Sequence, residues 1–177
     1  LLDRGTDLTT MTRYAEDLSA AIVFPEQRVE ETLAEVLSRH GLRQLHAAET
    51  EKYAHVTYFF NGGQEREWPG ETRLLVPSRR DVASYDLAPA MSAAEVADRV
   101  CAEVGDGYAF CVVNVANPDM VGHTGSIPAA VAAVEATDAA LGRVVEAVQA
   151  AGGICLVTAD HGNAETMLAA DGVSPHT

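Results

Sequence analysis

Gly152-Gly153-Ile154-Cys155-Leu156-Val157-Thr158-Ala159-Asp160-His161-Gly162-Asn163 is the stretch on which the reading of this chain turns. Ile154 to Val157 is a short apolar run behind a Gly-Gly breaker, which predicts a buried strand of a parallel sheet. It ends in Asp160 and His161, a carboxylate beside an imidazole. Open α/β sheets collect ligands outside the carboxyl ends of their strands. Divalent cations take this pair of ligand types. Taken alone, the pair admits two readings: a metal-binding pair, or Asp160 capping a turn beside an ordinary surface histidine.

A second stretch repeats the pattern. Tyr108 to Val115 is another apolar strand pattern, followed by Asn117-Pro118-Asp119-Met120-Val121-Gly122-His123-Thr124-Gly125. Here an Asp and a His stand four apart in a loop punctuated by Pro and Gly. An Asx-type turn at Asn117 to Asp119 would explain one such loop. Two strand ends, each delivering Asp and His, favour a metal centre where neighbouring strands converge.

Outward from these loops, the chain alternates helix and strand. Val29, Leu33, Val36 and Leu37 share a face of a helix predicted from Glu26, with Gly41 after its end. A strand is expected over 42–47. Tyr53, Val56 and Phe60 then mark a helix stopped by Asn61-Gly62, with Lys52 in its first turn. A lysine there opposes the helix dipole. It is either a solvated side chain or one aimed at an anionic substrate. A strand at 72–76 and a long loop over 77–91 follow. Ser92 and Glu95 form a capping-box pattern for a helix to about Val104. Pro128 opens the last helix, whose face runs through Val131, Val134, Leu141, Val144, Val145 and Val148. Residues 1–25 show little pattern beyond a short extended stretch at 21–24. Repeated helix–strand alternation from residue 26 predicts an α/β layered sheet.

Composition excludes several classes. The 177 residues carry 12 basic against 26 acidic groups, a net charge of −14. Nucleic acid and anionic membranes both require clustered positive charge, so neither is an expected partner. The most apolar window, 127–148, is broken by Glu135, Asp138, Arg143 and Glu146, and reads as a helix rather than a membrane span. Cys101, Cys111 and Cys155 lack disulfide-like spacing and predict buried free thiols in a reducing compartment. The chain starts without Met and stops at Thr177 with no closing element, as a piece of a longer polypeptide would.

Three segments together resemble one family, the cofactor-independent phosphoglycerate mutases. They are Ala48-Glu49-Thr50-Glu51-Lys52-Tyr53-Ala54-His55-Val56-Thr57-Tyr58-Phe59-Phe60-Asn61-Gly62-Gly63, the Asn117–Gly125 loop, and Thr158 to Glu165. Tyr85-Asp86-Leu87, Pro89 and Met91-Ser92 also match, so the resemblance spans nearly the whole chain. It implies an alkaline-phosphatase-like sheet with helices on both faces, incomplete at both ends. Residues 1–25 become the tail of an inserted phosphotransferase domain and its linker. Residues 26–177 become the C-terminal part of the metal-binding, phosphatase-like domain.

The resemblance also implies chemistry. Members are isomerases that interconvert 3-phosphoglycerate and 2-phosphoglycerate through a phosphoserine enzyme, without a bisphosphoglycerate cofactor. Two divalent ions serve them, Mn²⁺ first, with Mg²⁺, Co²⁺ or Zn²⁺ as alternatives. Asp119 and His123 match the ligands of one ion, and Asp160 and His161 contribute to the other. His176 matches the first histidine of a His-Thr-Ala-His-Thr segment whose later histidine is the ligand. Lys52 matches the lysine that contacts the substrate phosphate. The nucleophilic serine, a further Asp ligand and the substrate-gripping arginines have no counterpart here, so the chain alone is expected to be inactive. A cytoplasmic location and a monomeric full-length form follow from the same resemblance. Two departures stand out: His46 in place of an arginine, and Ser78-Arg79-Arg80 in place of a Ser-Pro loop. A metal-dependent phosphatase or phosphopentomutase relative is the alternative enzyme. A non-catalytic metal-binding module is the alternative of another class, because the nucleophile is absent.

Overall fold

A computed structural model describes residues 7–13, 18–25, 29–172 and 174–176. The chain divides into two units, 1–30 and 31–177. In the first, β1 (Thr9–Thr10) and β2 (Ala21–Ile22) pair in parallel. The helix expected from Glu26 begins partly outside the described residues. Within them, α1 runs only over Leu33–Arg39, because Thr32 caps it by accepting the Glu35 amide at 3.3 Å. Glu31, at φ 58°, turns the preceding backbone out of helical shape.

The second unit is built on a parallel sheet of order β4-β3-β5, with β3 at Gln44–Glu49, β4 at Glu71–Val76 and β5 at Phe110–Asn114. All three strands lie within two residues of their expected positions. Every residue of β3 is buried, as a central strand covered on both faces must be. Leu45 and Ala47 pair with Cys111 and Val113 on one side and with Thr72 and Leu74 on the other. These apolar side chains meet Val96 and Val100 of α2 (Ala93–Glu103). Gln44 and His46 point to the opposite face. There Gln44 Nε2 donates to the Ala34 carbonyl at 2.8 Å, His46 Nδ1 donates to the Val56 carbonyl at 2.6 Å, and Phe60 stacks on Phe110. The expected α/β layering, with helices on both faces, is what forms. His46 is a core residue tied to Glu71 at 3.6 Å.

Beyond the late start of α1, local structure departs from expectation in five places. The helix after β3 is a 3₁₀ turn, Thr50–Lys52, followed by a π-helical turn, His55–Phe59. Thr57 Oγ1 donates to the Tyr53 carbonyl at 2.8 Å and competes for the acceptor a regular ladder uses. Ser92 stands at the start of α2 without capping it. Its hydroxyl donates to the Pro77 carbonyl at 2.9 Å, drawn there by the long loop packed beneath. The Asn117 turn is a short helix, α3 (Asn117–Gly122), with Pro118 in its first turn.

The last helix, α4 (Ile127–Ala150), buries Ala129, Ala130, Ala133 and Ala140, while Val131 and Val134 are exposed. Alanines let α4 lie close to α3 and α2, and that sets the buried face instead of the larger valines. The fifth departure is the largest: Ile154 to Val157 forms no strand and pairs with none among the described residues, and Ile154 and Leu156 are 89% and 93% exposed. A cavity of about 800 Å³ lies between this segment and β5, lined by Val112, Val144 and Val148 among others. Without a neighbour at ladder distance, an apolar run cannot become a strand. Among the described residues, no helix is long and apolar enough to cross a membrane.

Candidate metal centre

The carboxyl ends of β3 and β5 face one rim, and the loop after the Ile154 segment closes on it. Lys52 ends the 3₁₀ turn that leaves β3, which carries its side chain inward to 3% exposure. A buried ammonium needs compensating charge. It receives this from Asp119 Oδ2 at 2.7 Å and Asp160 Oδ2 at 3.7 Å. Asp119 lies in the first turn of α3, where a carboxylate also suits the helix dipole. One turn on, His123 brings Nε2 to 3.2 Å from Asp119 Oδ1. His161 Nε2 lies 3.1 Å from Lys52 Nζ, 3.7 Å from Asp119 Oδ2 and 3.9 Å from Asp160 Oδ1. Lys52, Asp119, His123, Asp160 and His161 therefore converge.

His176 does not join them. Its amide donates to the Met167 carbonyl at 2.7 Å, and its exposed ring makes no hydrogen bond or ion pair to these groups among the described residues. Its neighbour Pro175 packs against Gly125, which brings the segment beside the His123 loop.

Burial works to raise the Asp119 carboxyl, but the Lys52 ammonium and the Asn163 amide outweigh it and hold the group below its ordinary range. Asp160 follows the same pattern: burial opposes ionisation, and Lys52, Asn114 and His161 overcome it. Both carboxylates are thus ionised, the form a cation needs. His161 Nδ1 donates to the Gly162 carbonyl at 3.1 Å, which leaves the Nε2 lone pair directed into the site. Metal-bound histidines are commonly held this way. The donor set suits hard or borderline divalent ions. Among the described residues, no three His, Cys, Asp or Glu side chains close on one point. Each Asp–His pair offers two potential ligand side chains and not a complete shell.

Asn114 and Glu49 escape sequence reasoning, and Asn163, which the sequence presents as shaping the Asp160–His161 loop, turns its side chain to Asp119. Asn114 at the end of β5 donates to Asp160 Oδ2 at 3.0 Å, and Asn163 Nδ2 donates to Asp119 Oδ1 at 2.7 Å. A polar residue ending an apolar run was the available signal for Asn114. Beneath Lys52, the buried Glu49 accepts from Ser78 Oγ at 2.8 Å, and Tyr85 donates to Glu51 at 2.7 Å. Arg79 is engaged by Asp81 at 2.9 Å and stays in solvent.

Known proteins resemble this chain in sequence and in fold. The chain is 57% identical over 175 residues to a 2,3-bisphosphoglycerate-independent phosphoglycerate mutase of Chloroflexus aurantiacus, covering 98% of this chain and 32% of that protein. A protein of the same name from Thiobacillus denitrificans is 54% identical over 169 residues, covering 95% of this chain and 33% of its own length. The chain spans about a third of the length of these curated relatives. Among solved structures, Leishmania mexicana phosphoglycerate mutase at low cobalt concentration superimposes with a TM-score of 0.80 at 33% identity, covering 94% of this chain and 31% of that one. The Metalloenzyme superfamily matches residues 6–177, nearly the full sequence. On a match of that extent, the chain belongs to the metalloenzyme superfamily.

Proposed function

We propose that this chain is the metal-binding portion of a 2,3-bisphosphoglycerate-independent phosphoglycerate mutase. Residues 1–25 are the tail of its inserted phosphotransferase domain, and residues 26–177 are the C-terminal part of its phosphatase-like domain. The longer polypeptide interconverts 3-phosphoglycerate and 2-phosphoglycerate in glycolysis and gluconeogenesis, as a cytoplasmic monomer using a phosphoserine outside this chain. One observation carries the reading: Asp119, Asp160 and His161 meet at a single buried ammonium, and His123 joins them through Asp119. The cavity beside β5 supports the partial length, since one further strand from the rest of such a polypeptide would pair with β5 and cover Ile154 and Leu156.

Asp119 and His123 would hold one divalent ion, manganese first, and Asp160 and His161 would contribute to a second, with the His176 segment leading to the remaining histidine ligand. When bound, such ions activate the attacking oxygen and stabilise charge on the transferred phosphoryl group. Lys52 stands between the pairs, where its ammonium faces the oxygens of a phosphoryl group held there. Because these cations supply the positive charge, the protein as a whole can remain acidic.

The test is a coupled assay of the full-length polypeptide with and without Mn²⁺. Mutase turnover that does not need 2,3-bisphosphoglycerate is the expected result. Release of free phosphate alone would overturn it in favour of a phosphatase. Asp119→Ala and His161→Ala should each lower bound manganese, read by elemental analysis, and abolish turnover. Unchanged metal content would remove these residues from the centre.

A further inference from the structure

Asn163 sits in the Asp160–His161 loop, yet its side chain serves the other pair. Nδ2 donates to Asp119 Oδ1 at 2.7 Å and approaches the Asp119 carbonyl at 3.4 Å. The loop grips Asn163 in turn, because its backbone amide donates to Glu165 Oε2 at 2.8 Å. Two glycines make this possible by leaving space. A Cβ at Gly122, inside α3, would stand 2.5 Å from Asn163 Oδ1, and one at Gly162 would stand 2.1 Å from Glu165 Oε1. Neither glycine has a positive φ, so backbone shape does not demand them. Glycine within a helix weakens it relative to alanine, and here the position makes room for an amide. Asn163 Oδ1 is buried with no hydrogen-bond partner among the described residues. A buried acceptor left unpaired is a cost that general stability does not explain.

We infer that Asn163 is a positioning residue that links the two ion sites, orienting the Asp119 carboxylate from the loop that carries Asp160 and His161. Gly122 is the space that admits it. The inference rests on the metal-centre reading above and adds a direction to it: the side chain of one loop sets the ligand geometry of the other. The amide holds Oδ1, which leaves Oδ2 as the oxygen turned towards Lys52 and the centre.

The experiment uses Asn163→Leu, of similar shape but without the donor, and Gly122→Ala, which keeps the donor but displaces it. Both are made in the full-length polypeptide. Co²⁺ is titrated by visible absorption, with bands assigned to each site through Asp119→Asn and Asp160→Asn. Asn163→Leu is expected to weaken the ion at Asp119 and His123 by about 10–100-fold, the usual effect of losing such a support. The ion at Asp160 and His161 should change far less. A merely structural role for Asn163 would fall first on its own loop, so a loss centred on the Asp160 site, or no loss, overturns the proposal. If Asn163→Leu does not fold, Gly122→Ala decides by the same selectivity. If the unaltered protein takes up no Co²⁺ at all, the metal-centre reading fails separately. Hydrogen exchange of amides 117–123 then decides this inference: faster exchange in the variants supports it, and unchanged exchange overturns it.

Discussion

Lys52 carries its charge into a place where water reaches 3% of its surface, and it is tolerated because Asp119 lies 2.7 Å away. Its charge is a fixed feature of the rim, available to any anion held there. Lys52→Ala in the full-length protein should retain bound manganese and lower turnover by about 10²–10³-fold, the scale for losing one preorganised electrostatic contact. Parallel single-turnover kinetics and metal analysis check it, and an unchanged rate would release Lys52 from the site. Glu49 gives a pH prediction of opposite character. Burial raises its carboxyl above the ordinary 4.5 and outweighs the hydrogen bonds from Ser78 and Ser92. The folded state therefore keeps this proton to higher pH than the unfolded chain does. The stability it contributes is complete below 4.5 and is lost as pH rises through the folded value. Glu49→Gln cannot ionise and should lack that decline in denaturation curves taken across the window. Identical slopes for the two proteins would count against the assignment. Asp119, His123, Asp160 and His161 were legible because each pair is adjacent or one turn apart, so a local rule about strand ends reaches them. Asn114 and Glu49 were not, since their partners lie 46 and 29 residues away, and Asn163 was legible as a support of its own loop but not as a partner of Asp119, 44 residues away.

At the scale of elements, β3 is the pivot. Leu45 is fully buried in the cluster with Leu74, Val76, Val96 and Val100. Leu45→Ala should cost about 2–5 kcal/mol, read by urea denaturation, and a loss below about 1 kcal/mol would show that the layer collapses around the gap. The three strands were predictable from apolar runs bounded by glycine and proline. The turn after β3 was not, because its mixed 3₁₀ and π form depends on Thr57 reaching back to Tyr53 and on Val56 lending its carbonyl to His46. Ser92 shows the same limit. Its pattern is that of a cap, but only the packed loop reveals Pro77 as the nearer acceptor. The face of α4 misled for a related reason, since apolar size ranked Val131 and Val134 above the alanines that permit close packing.

For the whole molecule, the decisive feature is the gap between β5 and the Ile154 segment. Exposed Ile154 and Leu156 form an apolar surface that a strand neighbour would cover. Substituting both by serine should improve the solubility of this chain on its own and lower the melting temperature of the full-length polypeptide. Light scattering and calorimetry read the two effects, and a full-length protein indifferent to the change would argue that nothing covers these residues. The rim itself carries a kinetic consequence. Lys52 and His161, 109 residues apart, touch only after parallel strands have been joined across long crossovers, and such non-local closure comes late in folding. A cation held at this rim would therefore bind near the end of the reaction, and would act mainly by slowing escape from the native state and not by hastening arrival.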